Sequence, residues 1–253
     1  MPINQAKLCL FSFVLPNFAV AMGLYGLVAD GKRYGDMTNE ARVAFRRMGV
    51  AMVIPLLVLF VMYALKYLEV GMDWDFTRLG VYPRARKGVF GIFAHPLVHG
   101  DWRHLMANTL PLLFLSWCLF YFYRHVASFI FFSLWVGCGL LTFVIGKPGW
   151  HIGASGLIYG LAFFLFFSGL LRRHIPLIAI SLLVTFVYGG LVWNMFPQFA
   201  KPTTSWEGHL SGAIAGLVCA FAYRHQGPQR PEPFADEEQV EEFSNEGEFE
   251  GWD

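Results

Sequence analysis

"GASGLIYGLAFFLFFSGLL", residues 153–171, carries no charge and is long enough to cross a bilayer as a helix. About 20 apolar residues match roughly 30 Å of hydrocarbon. A hydroxyl flanked by glycines is a costly way to open such a segment, and polar groups at membrane depth need a reason. The fold and the chemistry both turn on why Ser155 stands there.

The rest of the chain places that segment among others like it. The 253 residues are 56% hydrophobic and only 15% charged, where a soluble domain carries about a quarter charged residues. The apolar residues fall in blocks that predict spans over about 48–68, 104–123, 126–146, 153–171, 175–195 and 208–224. Residues 7–29 are a seventh candidate, interrupted by Pro16 and Asn17. The expected fold is therefore an all-α membrane protein, a six-helix bundle with one additional N-terminal helix if residues 7–29 span. Three parts are expected: an N-terminal hydrophobic segment (1–36), a membrane domain (37–225) and an acidic tail (226–253). A working start at Met37 would give the ordinary six spans, so residues 1–36 are expected to be dispensable for catalysis.

Charge sets the topology. Residues 226–253 carry a net charge of −9, and the other 225 carry +10. The stretch "FADEEQVEEFSNEGEFEGWD" (234–253) is too polar to offset its ordering entropy and reads as a disordered tail. Arg42, Arg46 and Arg47 precede the first span, and Arg124, Arg172, Arg173 and Arg224 follow spans two, four and six. The positive-inside rule puts these ends in the cytoplasm, with the C-terminus, and predicts a multi-pass protein of the cell (inner) membrane. Spans two, four and six then all begin at the outer face. The loop over 69–103 is aromatic and is expected to lie at the membrane interface. All four cysteines sit in apolar runs and read as small hydrophobes.

Shared direction brings chemistry together. Span two opens with "HLMAN", putting His104 and Asn108 on one helical face. Tyr159 lies one turn beyond Ser155, and span six opens with "GHLSGAIAG", which places His209 at its outer end. Gly153, Gly156 and Gly160 on span four, and Gly212 and Gly216 on span six, make small faces that let membrane helices approach closely. Packing those faces would bring Ser155 to His209. Serine needs a base to become a nucleophile, and histidine suits that role near neutral pH. Spans one to six hold no Asp or Glu, and Glu207, two residues from His209, would not face it on a helix. A Ser–His pair is thus expected. His104, Asn108 and the Ser155 backbone N–H would donate to the oxyanion, and the Tyr159 ring would hold the His209 imidazole.

The chain resembles the rhomboid family of intramembrane serine proteases over roughly residues 48–224. The resemblance rests on "HPLVHGDWRHLMAN", "GASGLIYG" and "GHLSGAIAG", in order on alternate spans. It implies that Ser155 is the nucleophile, His209 the base, His104 and Asn108 the oxyanion residues, and Tyr159 the ring stacked on the histidine. It also implies single-span membrane proteins as substrates, cut near the outer face, and no cofactor. Many relatives carry Trp-Arg in the first loop where this chain has Phe90 and Gly91, so the resemblance does not supply that loop's anchor.

The same residues admit other readings. His95 and His99 are four apart, but Pro96 lies between them and no Cys or Glu stands near, so no metal site is expected. They read instead as histidines that bond loop backbone, and Asp101 and Trp102 as loop and interface residues. A catalytically silent rhomboid-like adaptor that binds client helices would lack the serine or the histidine, and both are present. A transporter or channel would place ionisable groups near the midplane rather than at one face. The bilayer and membrane-spanning proteins are the expected partners, with no nucleic acid.

Overall fold

The computed structural model describes residues 39–173, 177–179, 182, 195, 196, 198 and 205–228. Its helices are α1 (Asn39–Gly71), α2 (Gly91–Ala94), α3 (Trp102–Phe122), α4 (Ala127–Ile145), α5 (Ser155–Leu171) and α6 (Trp206–Ala222). Single 3₁₀ turns at Thr77–Leu79, Arg86–Gly88 and His95–Leu97 punctuate the long loop after α1. Among the described residues there is no strand, only an isolated antiparallel bridge between Val81 and His151. The expected spans at 7–29 and most of 175–195, and all but the first three residues of the acidic tail, lie outside the described residues.

Arg42–Gly71 of α1, α3 and α4 are long and apolar enough to cross a membrane, and α5 is a shorter apolar helix. The faces of α1 show what surrounds it. Ala51, Pro55, Leu59, Met62 and Lys66 follow helical spacing and are buried against the bundle. Val50, Val53, Leu57 and Phe60 make an exposed stripe on the other side. Such a stripe would be an unusual apolar patch in water and suits hydrocarbon.

α5 is the hub. It is buried nearly all round, with Leu157, Leu161, Phe164 and Leu165 fully enclosed. α3 meets it with Leu105, Leu112, Leu115 and Leu119, again one helical stripe. Among the described helices, α5 and α6 form the most intimate pair. A methyl group on Gly212 would run into the Gly156 carbonyl, and one on Gly216 into the Gly160 carbonyl. The two backbones therefore touch where the glycines lie, as dispersion-driven packing in lipid requires.

Two side-chain caps fix where helices start. Asp101 Oδ1 accepts from the His104 N–H at 2.7 Å at the head of α3, and Ser205 Oγ accepts from the Gly208 N–H at 3.1 Å at the head of α6. At the far end of the bundle Arg172, counted above among the topology-setting arginines, is buried. It donates to the Ser168 carbonyl at 3.0 Å, to the Tyr123 hydroxyl at 3.4 Å and to the Gln226 carbonyl, tying the end of α5 to the ends of α3 and α6.

Candidate active site

Ser155 is the first residue of α5, so its backbone N–H is one of those that have no acceptor within the helix. The turn before it is built around Gly153, whose φ of 105° strains any residue with a Cβ. A Cβ there would also lie 2.6 Å from His104 Cε1. Glycine thus serves twice, shaping the turn and letting the His104 ring press against it.

The first loop holds this turn from the other side. The Gly153 N–H donates to the His95 carbonyl at 2.9 Å, and the Ala154 N–H donates to His99 Nε2 at 3.3 Å. His95 Nδ1 donates in turn to the Gly91 carbonyl at 2.9 Å. Burial pushes His95 down to about 4 and His99 to about 3, well below the ordinary histidine range, so both rings are neutral near pH 7. A neutral ring is what His99 needs to accept the Ala154 N–H. His99 and His104 also meet edge to face, with ring centroids 5.0 Å apart.

The loop is itself clamped to α1. Lys66 Nζ, buried, donates to Glu69 Oε2 at 2.7 Å, to the Gly100 carbonyl at 2.9 Å and to the His99 carbonyl at 3.1 Å. Glu69 Oε1 accepts the Phe76 N–H at 3.0 Å. At the expected Trp-Arg positions Phe90 is exposed, and Gly91 packs against the Gly80 carbonyl with no room for a side chain. Arg84 supplies an anchor instead, donating through Nη2 to the Gly146 carbonyl at 2.9 Å.

α6 delivers the histidine. His209 Nε2 lies 2.9 Å from Ser155 Oγ, and the Tyr159 ring stacks on the imidazole at 4.3 Å and 12°. His209 is buried and Ser155 half-buried. The neighbouring acid faces elsewhere: Glu207 is 3.7 Å from Lys147. His151 steadies the head of α6, with Nε2 donating to the Lys147 carbonyl at 2.9 Å and Nδ1 accepting the Ser205 hydroxyl at 2.5 Å. That one ring joins the loop before Ser155 to the cap of the helix bearing His209.

Asn108 is buried one turn beyond His104, and its Nδ2 makes no hydrogen bond among the described residues. An unsatisfied buried amide costs about 1–3 kcal/mol, so its presence calls for an explanation. Ser155, His209 and Tyr159 therefore meet directly, His104 abuts the turn before Ser155, and Asn108 lies on the same helical face as His104. Lys66, His99, His151 and Ser205 support the arrangement. Of these, His99 was expected from the sequence to bond loop backbone, as it does at Ala154, and Ser205 carried a signal as a hydroxyl directly before an apolar helix.

A family model described as a rhomboid domain matches residues 86–226, more than half of the chain. An uncharacterized protein of Mycobacterium tuberculosis is 41% identical over 151 residues, covering 56% of this chain and 62% of the relative. An uncharacterized protein of Mycobacterium leprae is 38% identical over 143 residues, or 53% of this chain and 55% of the relative. A protein of Acanthamoeba polyphaga mimivirus, provisionally named a rhomboid protein, is 27% identical over 125 residues, 47% of this chain and 67% of its own. The chain thus spans less than two thirds of the length of the mycobacterial relatives it matches.

Proposed function

This chain belongs to the rhomboid family, and we propose that it is a six-span intramembrane serine endopeptidase that cuts membrane proteins in or near their transmembrane segments. The observation that carries the reading is the 2.9 Å approach of Ser155 Oγ to His209 Nε2 beneath a stacked Tyr159 ring.

The steps follow from that contact. Ser155 Oγ attacks the scissile carbonyl carbon, and its proton passes to His209 Nε2. The carbonyl oxygen gathers negative charge and takes hydrogen bonds from the Ser155 N–H, His104 and the Asn108 amide, whose unpaired Nδ2 is then satisfied. His209 returns the proton to the leaving amine as the C–N bond breaks. Water, activated by the same histidine, then hydrolyses the acyl-serine. Stacking on Tyr159 fixes the imidazole plane, the task a carboxylate performs in a triad. Two features make water available at a site within a membrane protein: Ser155 is partly exposed, and it stands at the end of its helix.

The arginine distribution supports an active site facing the outer side and a cytoplasmic C-terminus. The test is cleavage of a model single-span substrate by the purified protein in detergent. Wild type should cut it and Ser155→Ala should not; equal cleavage by both would refute the proposal.

A further inference from the structure

At the end of the bundle opposite Ser155, α1 and the α3–α4 turn border an open cavity of about 520 Å³, within the range of about 300–1,000 Å³ typical of ligand sites. Its walls are of two kinds. Val50, Ile54 and Phe120 make an apolar side along the helices, while Arg46, Arg47 and Arg124 make a cationic rim at the helix ends. A second cavity of about 550 Å³ shares Arg47 and Arg124 and continues the opening toward Pro228. Among the described residues no carboxylate pairs with these three arginines.

We propose that this cavity binds an anionic glycerophospholipid, with the phosphate on Arg46, Arg47 and Arg124 and an acyl chain along Val50, Ile54 and Phe120. Three exposed cations at one end of a membrane bundle draw in negative charge, and guanidinium groups match phosphate oxygens in fork geometry. The apolar wall discriminates among anions. It continues down α1 at hydrocarbon depth, where a fatty chain gains by burial and a peptide carboxylate or free phosphate gains nothing. The acidic segment after Pro228 is the rival occupant by charge, and removing it separates the two. The bound lipid would join α1 to the α3–α4 hairpin. The proposal is independent of the protease reading.

The test is native mass spectrometry of the full chain released from detergent carrying phosphatidylglycerol or phosphatidylcholine with identical acyl chains. Wild type should retain phosphatidylglycerol in preference, and inorganic phosphate should not displace it. An arginine near anionic lipid is worth about a fivefold change in affinity, so Arg46→Gln, Arg47→Gln and Arg124→Gln together should weaken retention about a hundredfold. Ile54→Trp, which fills the apolar wall and spares the arginines, should also reduce retention and serves if the triple variant does not fold. Removing residues 229–253 should leave the preference intact. Equal retention of the two lipids, retention unchanged in both variants, displacement by phosphate alone, or a preference that appears only after the tail is removed would each overturn the proposal.

Discussion

His99 Nε2 lies 3.3 Å from the backbone nitrogen of Ala154, the residue immediately before Ser155. Through this bond the first loop sets the start of α5, and through Lys66 the loop is set by α1. A chain of two contacts thus runs from a buried lysine through His99 to the residue before the candidate nucleophile.

Lys66→Met should destabilise the protein by about 3 kcal/mol, because it strands the Glu69 carboxylate and two loop carbonyls in a largely buried place. Adding Glu69→Gln should recover part of that loss. Thermal unfolding in detergent of the two single variants and the double variant measures the coupling. Additive losses would show that the pair is not a unit.

Acid should loosen the loop. The folded state holds His95 and His99 neutral, with values lowered to about 4 and about 3, while the unfolded chain binds protons below about 6.5. Protons therefore favour the unfolded chain between about pH 6.5 and 4, and stability falls with pH at about 1.4 kcal/mol per unit per histidine. His99→Gln retains an acceptor for the Ala154 N–H but does not titrate, so its acid slope should be shallower than that of wild type by one histidine's share. Unfolding temperature against pH reads both slopes. Identical slopes would contradict the assignment.

Asn108→Ala and His104→Ala should each lower turnover about 10²–10³-fold with little change in KM, since oxyanion donors act chiefly in the transition state. Steady-state kinetics on a model substrate separates the two constants. A rise in KM alone would place these residues in substrate binding.

Gly212→Ala should part α5 from α6, because the new methyl meets the Gly156 carbonyl. Overpacking of this kind costs about 1–3 kcal/mol, and activity should fall further as Ser155 and His209 separate. Gly49→Ala is the control, since a methyl there meets nothing within 4 Å. Equal behaviour of the two variants would show that the close approach is not needed.

Much of this architecture was legible because lipid imposes simple rules. Hydropathy located the heads of α3, α5 and α6, and their shared direction made Ser155 and His209 candidates for contact before any coordinates. Glycine spacing on α5 and α6 predicted that these two helices approach closely, as they do at Gly212 and Gly216. Apart from His99, the supporting residues were not legible, because hydropathy treats each polar residue as a penalty and says nothing of its partner. Lys66 reads as an unremarkable cation near the end of a span, yet it holds two carbonyls of a loop more than 30 residues away. Arg172 contributes to a topology count in the sequence, yet in the fold it is buried and bonded. The Ser205–His151 bond joins two loops whose proximity only the packed bundle creates.

The proposed protease depends on His209 activating Ser155. The most direct measurement is the intact mass of the protein after treatment with a fluorophosphonate, which labels activated serines. Wild type should gain one adduct, mapped to Ser155 by peptide analysis. Folded Ser155→Ala should gain none, and folded His209→Ala should label far more slowly. An adduct that persists in Ser155→Ala, or forms at the wild-type rate in His209→Ala, would contradict the account.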